Sequence, residues 1–575
     1  MPLIRRPIRL ALCAIGGVLI AHSFALAQVA IPPAQPVVAR HGMVVGQEAR
    51  ATRIGVEVLE KGGNAVDAAV AVGFALAVTY PRAGNIGGGG FMMIHLAARN
   101  EDIAIDYRET APRATTRDIF LDEEGNADPK KSLDSTLGVG VPGTVAGLAL
   151  AHDRFGSGKL SLAELIAPAI QLARNGLPIE EDTAASLPSA QSRLARWPSS
   201  AKIFLKPDGA PLKPGDTLVQ TDLAASLEAV ARGGPRAFYE GATAEKLVAA
   251  IQSEGGLMTL DDLKSYRAVL RVPVRGSYRG YDIVSMPPPS SGGVHLVEML
   301  NILEGYNLGD IRADSAAGLH VMIEAMQRAY ADRAVFLADP DTVKVPVAGL
   351  TSKSYAAALR AGIDPQRARP SADIRPGEPP PPEGDNTTHF SVVDADGNAV
   401  ANTYTLNYSY GLGMVAEGTG ILLNDELDDF AAKPMAPNAY GLVGLEANAP
   451  GPGKRPLSSM TPTIVLKDGK PFLVTGAAGG SHIITAVLRI IVNVIDQGMT
   501  IAEAVTAPRL HHQWLPDEVV AERGNADDTM RALEARGHKV VIGRAATSAN
   551  SIAATPGGLV GAADTRTLGA LAAGY

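Results

Sequence analysis

The sequence has 575 residues, of which 46% are hydrophobic and 19% are charged, and this balance is typical of a globular protein. The formal net charge is −8 and no dense cluster of Lys and Arg occurs, which argues against nucleic-acid binding because phosphate contacts need a basic surface. A single cysteine, Cys13, lies in the N-terminal segment considered next, so the rest of the chain can have no disulfide, thiol nucleophile or cysteine metal site.

The first 27 residues have the pattern of a secretory signal peptide. Three arginines precede an apolar stretch over residues 10–24, and the small residues A-L-A follow, so cleavage is expected after Ala27. A membrane anchor is the alternative, but the stretch is short for a spanning helix. Removal of these arginines would change the net charge to −11.

The mature protein is expected in the periplasm or the medium. Export without disulfides suits a bacterial periplasm. The next apolar segment, residues 65–78, is too short to span a membrane and contains Asp67, so no membrane insertion of the mature chain is predicted.

The mature chain begins with two predicted helices and a glycine-rich segment. Apolar residues recur at helical spacing over 48–61, and the letters GGN at 62–64 end that helix and begin another. Residues 65–78 are apolar nearly all round, which predicts a buried helix. The segment GNIGGGGFMMIHLA then leads into strands, and its glycines indicate either close backbone packing or a turn that faces substrate.

Further helices and strands follow as far as residue 337. The letters SLAE at 161–164 form a capping box, and Gly176 is a plausible end for that helix. The later predictions are a helix starting at TLDDL (259–263), strands over 270–286, a turn at MPPPSSGG, and helices over 293–304 and 315–337.

A proline-rich stretch and a hairpin come next. Residues 375–386 are predicted to form a solvated loop, and HFSVVDADGNAVANTYTL then alternates around Asp396-Gly397, a hairpin signal. A two-residue loop would pair Thr388 with Thr405. A bulged turn would shift the pairing by about one residue and could bring Thr387 opposite Thr405. Either register predicts that Thr405 and Thr387 are neighbours.

Thr387 could become an N-terminal nucleophile. A threonine hydroxyl needs a base, and a free α-amino group with a pKa near 7.7–8.0 can supply one. That chemistry requires cleavage between Asn386 and Thr387. Two threonines before a hairpin can also be present only for their strand propensity, and spacing alone leaves both interpretations open.

Several motifs in order resemble the γ-glutamyltransferase (γ-glutamyltranspeptidase) family of N-terminal-nucleophile hydrolases. They are GGNAVDAAVA, GNIGGGGFM, DYRETAP, MPPPSSGG, NTTHFSVVDADGNAVANTYTLNYSYGLGMVAEGTGILLNDELDDF, KRPLSSMTPTIV and GAAGGSHI. The likeness runs from about residue 40 to the C-terminus. It implies that Thr387 is the nucleophile, freed by autocleavage after Asn386, and that Thr405 activates it. It also implies that the backbone N–H groups of Gly479 and Gly480 bind the oxyanion.

The resemblance also implies a site for the γ-glutamyl group. Arg108 would bind its α-carboxylate with help from two serine hydroxyls, and three side chains would bind its α-ammonium. The residues in these roles are Arg108, Ser458, Ser459, Asp429, Glu426 and Asn407. Residues 434–445 resemble a lid loop that includes Tyr440 and limits access to the pocket. Without the resemblance, the favoured explanations are an ordinary ion pair for Arg108, a polar turn for the serines and a solvated surface for the acidic residues.

The implied protein is an α+β enzyme with a four-layer αββα sandwich. Its large subunit (28–386) and small subunit (387–575) would form one intertwined heterodimer. It would transfer the γ-glutamyl group of glutathione and related γ-glutamyl compounds to water, amino acids or dipeptides. The histidines show no metal-ligand spacing, and no metal or other cofactor is implied.

Three alternatives remain. The first is a glutaryl or cephalosporin acylase of the same superfamily, although a glutaryl group has no ammonium for Asp429 to bind. The second is an enzyme that transfers capsular poly-γ-glutamate, which the predicted lid argues against. The third is an inactive secreted binding protein with this fold, which the complete set of nucleophile, Thr405 and glycine pair argues against.

Overall fold

The chain alternates helices and strands throughout its length. The computed structural model describes residues 31–375, 388–438, 441–543 and 547–575. The strands are β1 Val37–Ala39, β2 Met43–Gly46, β3 Gly89–Leu96, β4 Glu101–Asp106, β5 Leu177–Pro178, β6 Thr217–Leu218, β7 Val269–Arg271, β8 Val274–Tyr278, β9 Tyr281–Ser285, β10 Thr388–Val393, β11 Ala399–Thr405, β12 Val415–Ala416, β13 Ile421–Leu422, β14 Thr463–Lys467, β15 Lys470–Thr475, β16 Ala477–Ala478, β17 Leu510–His511, β18 Val519–Glu522, β19 Val540–Gly543, β20 Ser548–Ala549, β21 Ser551–Thr555, β22 Gly558–Ala562 and β23 Leu571–Gly574. The helices are α1 Ala49–Glu60, α2 Ala65–Thr79, α3 Pro129–Leu133, α4 Thr144–Phe155, α5 Leu162–Asn175, α6 Glu181–Ala195, α7 Pro198–Phe204, α8 Thr221–Gly233, α9 Arg236–Tyr239, α10 Ala242–Ser253, α11 Leu260–Ser265, α12 Gly292–Leu303, α13 Leu308–Ile311, α14 Ala316–Phe336, α15 Val347–Leu350, α16 Lys353–Ala361, α17 His482–Ile495, α18 Ile501–Thr506 and α19 Asp527–Ala535.

Local sequence signals place the helix ends where they were predicted. Asn64 caps α2, and every residue of that helix is buried, as its apolar circumference predicts. Ser161 and Glu164 form the expected capping box at the start of α5, and Gly176 follows its last residue with φ +79°. The predicted helices near 293–304 and 315–337 are α12 and α14.

Two seven-stranded sheets form the centre of the described part of the chain. One has the order β1-β22-β21-β15-β14-β9-β8, and the other has the order β23-β2-β10-β11-β3-β4-β7. The sheets contact each other through β10 and β11 on one side and β14 and β15 on the other. Helices α1 and α2 cover the outer face of the second sheet, and α12, α14 and α17 lie outside the first. This arrangement confirms the predicted α+β, four-layer αββα sandwich.

Side-chain alternation along β10 and β11 divides the core. Phe390, Val400 and Tyr404 belong to the apolar cluster under α1 and α2, whereas Ala399 and Ala401 belong to the cluster shared with the other sheet. Thr405 follows the same alternation as Ala399 and Ala401. The C-terminal end of β11 therefore carries Thr405 on the face between the two sheets.

The hairpin between β10 and β11 has a longer turn than the two-residue loop. Thr388 pairs with Tyr404 instead of Thr405, so the two-residue register is wrong by one residue and the bulged alternative is correct. The Asp394 carboxylate accepts hydrogen bonds from two backbone N–H groups of the turn, and Gly397 has φ +84°. The left-handed glycine permits the longer turn.

The glycine-rich segment before β3 packs against other backbone. A Cβ atom on Gly87 would lie 2.1 Å from the carbonyl oxygen of Leu422, and one on Gly88 would lie 2.0 Å from that of Thr405. Of the two interpretations of these glycines, close backbone packing is confirmed. Among the described residues, no helix combines the length and hydropathy that crossing a membrane requires.

Candidate active site

Thr405 lies at the end of β11, in a network that orients its hydroxyl. Its Oγ1 accepts a hydrogen bond from the backbone N–H of Asn407 at 2.8 Å, and its carbonyl accepts one from Asn85 Nδ2 at 2.7 Å. Thr388 pairs with Tyr404, the residue immediately before Thr405. Asn386 and Thr387 lie outside the described residues, so their roles remain predictions.

Gly479 and Gly480 form the tight turn between β16 and α17. Their φ angles are +125° and +61°, and a residue with a Cβ atom would be strained at the first of them. The turn leads directly into the N-terminus of α17, where backbone N–H groups lack helical partners. Tyr330 on α14 donates a hydrogen bond to the carbonyl of Ser481, the next residue. The predicted glycine pair therefore lies where a backbone anion site can form.

Arg108 is fully buried between two of the predicted substrate residues. Its Nη1 donates to Glu426 and its Nη2 donates to Asp429. Its Nε donates to the carbonyl of Pro456 at 3.0 Å, and Nη2 lies 3.5 Å from that of Leu457. The structure thus brings Arg108, Glu426 and Asp429 together at the start of the Ser458–Ser459 segment.

A third acidic side chain, Glu109, lies beside Arg108. Glu109 is completely buried, and one of its oxygens lies 3.9 Å from Arg108 Nη1. Burial raises the pKa of Glu109 to about 8, and burial also raises the pKa of Glu426 well above its usual range. A cation bound nearby would favour the ionised form of these acidic side chains, so three of them around one guanidinium suit an additional cation. Glu109 was not among the predicted site residues, although it lies in the motif DYRETAP.

Asn407 connects Thr405 to the acidic segment. Its backbone has φ +75°, a conformation that asparagine tolerates better than most residues. Its Nδ2 donates to the carbonyl of Asp425 at 2.9 Å, and Glu426 follows Asp425. The side chain thus lies at the junction between the predicted nucleophile partner and the predicted ammonium site.

Ser458 and Ser459 are buried in a loop that a neighbouring turn holds in place. The carbonyl of Ser458 accepts the backbone N–H of Ser291 at 2.7 Å, and the backbone N–H of Ser458 donates to the carbonyl of Pro289 at 2.8 Å. Arg333 on α14, another residue that sequence reasoning did not single out, donates to the hydroxyl of Ser459.

The predicted lid, residues 434–445, is described except for Ala439 and Tyr440. Backbone hydrogen bonds close the loop, from Met435 to Gly444 at 2.7 Å and from Asn438 to Leu442 at 2.8 Å. A small cavity of about 30 Å³ is lined by loop residues, including Pro437 and Leu442, and by Asp428 and Phe430. Because Tyr440 falls outside the described residues, its contact with substrate remains a prediction.

One group of potential metal ligands occurs among the described residues, away from these positions. His320, Glu324 and His538 are buried, and each offers a ligand atom within 4.8 Å of the others. Protein groups already engage them, since His320 Nδ1 lies 2.7 Å from His538 Nε2 and Glu324 accepts from Arg328 at 2.6 Å. The hydrogen bonds account for this cluster without a cation.

Comparison with known proteins shows the family of this chain. The family model described as Gamma-glutamyltranspeptidase matches residues 51–574. This chain belongs to the γ-glutamyltranspeptidase family. Its four layers are accordingly those of an N-terminal-nucleophile hydrolase.

Similar proteins align with more than half of this chain. The glutathione hydrolase proenzyme of Escherichia coli (strain K12) is 54% identical over 541 residues, covering 94% of this chain and 93% of the relative. The crystal structure of a cephalosporin acylase from Bacillus halodurans aligns with TM-score 0.83 and 27% identity, covering 94% of this chain and 97% of its own. The crystal structure of Helicobacter pylori γ-glutamyltranspeptidase has TM-score 0.56 and 47% identity, covering 57% of this chain and 93% of its own.

Proposed function

We propose that this protein is a self-processing γ-glutamyltransferase that also hydrolyses glutathione. The observation that carries the proposal is the buried cluster in which Arg108 contacts both Glu426 and Asp429 beside the Ser458–Ser459 loop. A γ-glutamyl group ends in a carboxylate and an ammonium on one carbon, so it requires adjacent positive and negative groups. The membership of the chain in the γ-glutamyltranspeptidase family agrees with this substrate.

The cluster suits a zwitterion because the two charges of the substrate can replace the ion pairs that Arg108 makes within the protein. The substrate carboxylate would take a donor position on Arg108, with Ser458 and Ser459 as additional donors. The substrate ammonium would in turn neutralise Asp429, with Glu426 and Asn407 as further acceptors. The substrate carboxylate thus replaces an acidic partner of Arg108, and the substrate ammonium replaces the arginine as the partner of Asp429. No buried charge is left without an opposite charge beside it.

The reaction would proceed in two acyl transfers. Thr387 Oγ attacks the γ-carbonyl carbon while its own α-amine takes the hydroxyl proton, and the N–H groups of Gly479 and Gly480 stabilise the oxyanion. The carbon–nitrogen bond then breaks, and the leaving amine receives that proton. Water or the amine of an amino acid or dipeptide attacks the resulting threonyl ester and regenerates Thr387. Thr405, fixed by the N–H of Asn407, would orient the nucleophile.

The proposal includes maturation and export. Removal of residues 1–27 and cleavage between Asn386 and Thr387 would leave a large subunit, 28–386, and a small subunit, 387–575, in the periplasm or the medium. The lid with Tyr440 would limit access of water and acceptors.

Intact-mass analysis tests self-processing. Purified wild-type protein should give two chains, and the smaller should begin at Thr387. The Thr387→Ala variant should give one uncut chain, because it lacks the hydroxyl. An uncut wild-type chain would contradict the proposal and favour the inactive binding protein.

Two substrates that differ at one group test which acyl donor the enzyme prefers. γ-Glutamyl-4-nitroanilide and glutaryl-4-nitroanilide differ only in the α-amino group, so kcat/KM should favour the first. Asp429→Asn should reduce that preference by about 10-fold or more, since a charged hydrogen bond contributes about 1.5–3 kcal/mol. A wild-type preference for the glutaryl compound would instead establish the acylase alternative, which the similarity to the cephalosporin acylase raises.

A further inference from the structure

Arg333 connects helix α14 to the loop that carries Ser458 and Ser459. It is fully buried near the C-terminal end of α14, and its Nη2 donates to the hydroxyl of Ser459. Its Nε donates to the hydroxyl of Ser291 at 2.8 Å, and that hydroxyl in turn donates to the carbonyl of Ser458 at 2.9 Å. One guanidinium therefore reaches both serines, directly and through Ser291.

The chemistry of arginine determines the direction of these hydrogen bonds. A guanidinium has only donors, so Ser459 Oγ must accept at its contact with Arg333. The single proton of that hydroxyl is consequently directed to another acceptor. A serine that accepts from a cation is also a stronger donor, because the positive charge polarises the hydroxyl.

Arg108, by contrast, is engaged by carboxylates. Its two Nη atoms contact Glu426 and Asp429, and Glu109 lies nearby. Arg333 donates to two serine hydroxyls, and the ring centroid of Tyr330 is 6.0 Å from its guanidinium carbon. Arg333 therefore reaches the Ser459 hydroxyl of the serine loop, whereas Arg108 reaches the carbonyls of Pro456 and Leu457 just before it.

We propose that Arg333 is a positioning residue for the carboxylate of the substrate. It orients Ser459 as a donor and, through Ser291, fixes the backbone of Ser458. This inference rests on the proposed function, since it assigns Ser458 and Ser459 to the α-carboxylate of a γ-glutamyl donor.

Arg333→Lys and Arg328→Lys provide a matched comparison on one helix. Both arginines are buried on α14, but Arg328 contacts Glu324 and the carbonyl of Gly362 instead of the serine loop. A lysine keeps the charge and cannot reproduce the two-pronged contact of a guanidinium. The probes are γ-glutamyl-4-nitroanilide and 4-aminobutanoyl-4-nitroanilide, which retains the amine and lacks the α-carboxylate.

We expect Arg333→Lys to raise KM for the γ-glutamyl compound about 10-fold, with kcat changed less than about threefold, since one or more charged hydrogen bonds are lost. Its kcat/KM for the 4-aminobutanoyl compound should remain within about twofold of the wild type, and Arg328→Lys should leave the ratio between substrates unchanged. In a Ser459→Ala background, Arg333→Lys should have a smaller effect, because the two residues act together.

An unchanged KM in Arg333→Lys, or an equal loss on both substrates, would overturn the inference. If the Arg333→Lys variant is not cleaved into two chains, the Ser291→Ala variant tests the inference instead. It removes one contact of Arg333 and keeps the charge of the guanidinium. A KM rise of about threefold confined to the γ-glutamyl compound supports the inference, and no rise overturns it. A wild-type enzyme that is uncut, or that does not cleave the γ-glutamyl compound, contradicts the proposed function itself. Failure of the proposed function can therefore be distinguished from failure of the inference on Arg333.

Discussion

Arg108 and its three carboxylates are a charged cluster in which burial, and not only pairing, governs ionisation. Glu109 has neither oxygen in a hydrogen bond with a described residue, and it shares a single guanidinium with Glu426 and Asp429. Desolvation of an unbonded carboxylate disfavours its charged form, which is why the pKa of Glu109 rises to about 8. Such a group reduces stability wherever it must ionise inside the folded protein.

The stability of the protein should therefore fall as pH rises toward 8, in part through Glu109. Between its ordinary pKa near 4.5 and its folded pKa near 8, the folded state holds a proton that the unfolded chain has lost. Glu109→Gln is neutral in both states, so its free energy of unfolding should exceed that of the wild type by an amount that grows with pH, to roughly 2–4 kcal/mol near pH 8. Urea unfolding at pH 5, 6.5 and 8 measures the difference. A difference that is constant with pH would contradict the prediction.

Helices and loops, as well as strands, position the predicted catalytic groups. The turn at Gly479–Gly480 and the Ser458–Ser459 loop are both held by α14, through Tyr330 and Arg333 respectively. The end of β11 is held by the glycine segment before β3, where Asn85 donates to the carbonyl of Thr405 and Gly88 packs against the same carbonyl. A small displacement of this segment should consequently reach Thr405.

Gly88→Ala tests that dependence. The added Cβ atom would lie 2.0 Å from the carbonyl oxygen of Thr405 and 2.9 Å from Asn85 Oδ1, so the backbone of one segment must move. We expect destabilisation of about 1–3 kcal/mol together with slower processing, measured by urea unfolding and by the fraction of uncut chain over time. Gly349→Ala is the control, because its Cβ atom would have nothing within 4 Å. A Gly88→Ala variant that matches this control would show that the contact is unimportant.

The proposed subunits share both sheets of the molecule. In the second sheet β10 and β11 lie between β2 and β3, and β23 pairs with β2, so segments from both sides of residue 386 alternate. In the first sheet β1 lies at one end, and β9 followed by β8 lies at the other. The strands between β1 and β9 all come from the C-terminal part. Neither part retains a complete sheet without the other, since backbone groups of the inner strands would lose their partners.

The processed protein should accordingly dissociate only when it unfolds. During urea titration, separation of the two chains by size-exclusion chromatography should coincide with loss of the far-ultraviolet circular dichroism signal. The large chain, 28–386, expressed alone should not form a soluble folded protein. Dissociation at a urea concentration where the dichroism remains native would contradict this expectation.

Motif order in the sequence was sufficient to predict the family, and local periodicity was sufficient to predict the helices α1, α2, α5, α12 and α14. These features depend on nearest-neighbour chemistry, such as the Asn64 cap and the Ser161 capping box, which a sequence displays directly. The hairpin register was open to within one residue, because turn length depends on how the glycine and Asp394 share backbone hydrogen bonds.

Only the packed structure revealed the pairing of Arg108 with Glu426 and Asp429, the burial of Glu109, and the reach of Arg333 to Ser459. These contacts join residues more than a hundred positions apart, so no local pattern encodes them. Their energetic consequences also depend on removal from water, because burial both raises the pKa of Glu109 and strengthens the contacts of the two arginines. The sequence specifies which side chains are present, whereas long-range packing and removal from water determine their ionisation and their contacts.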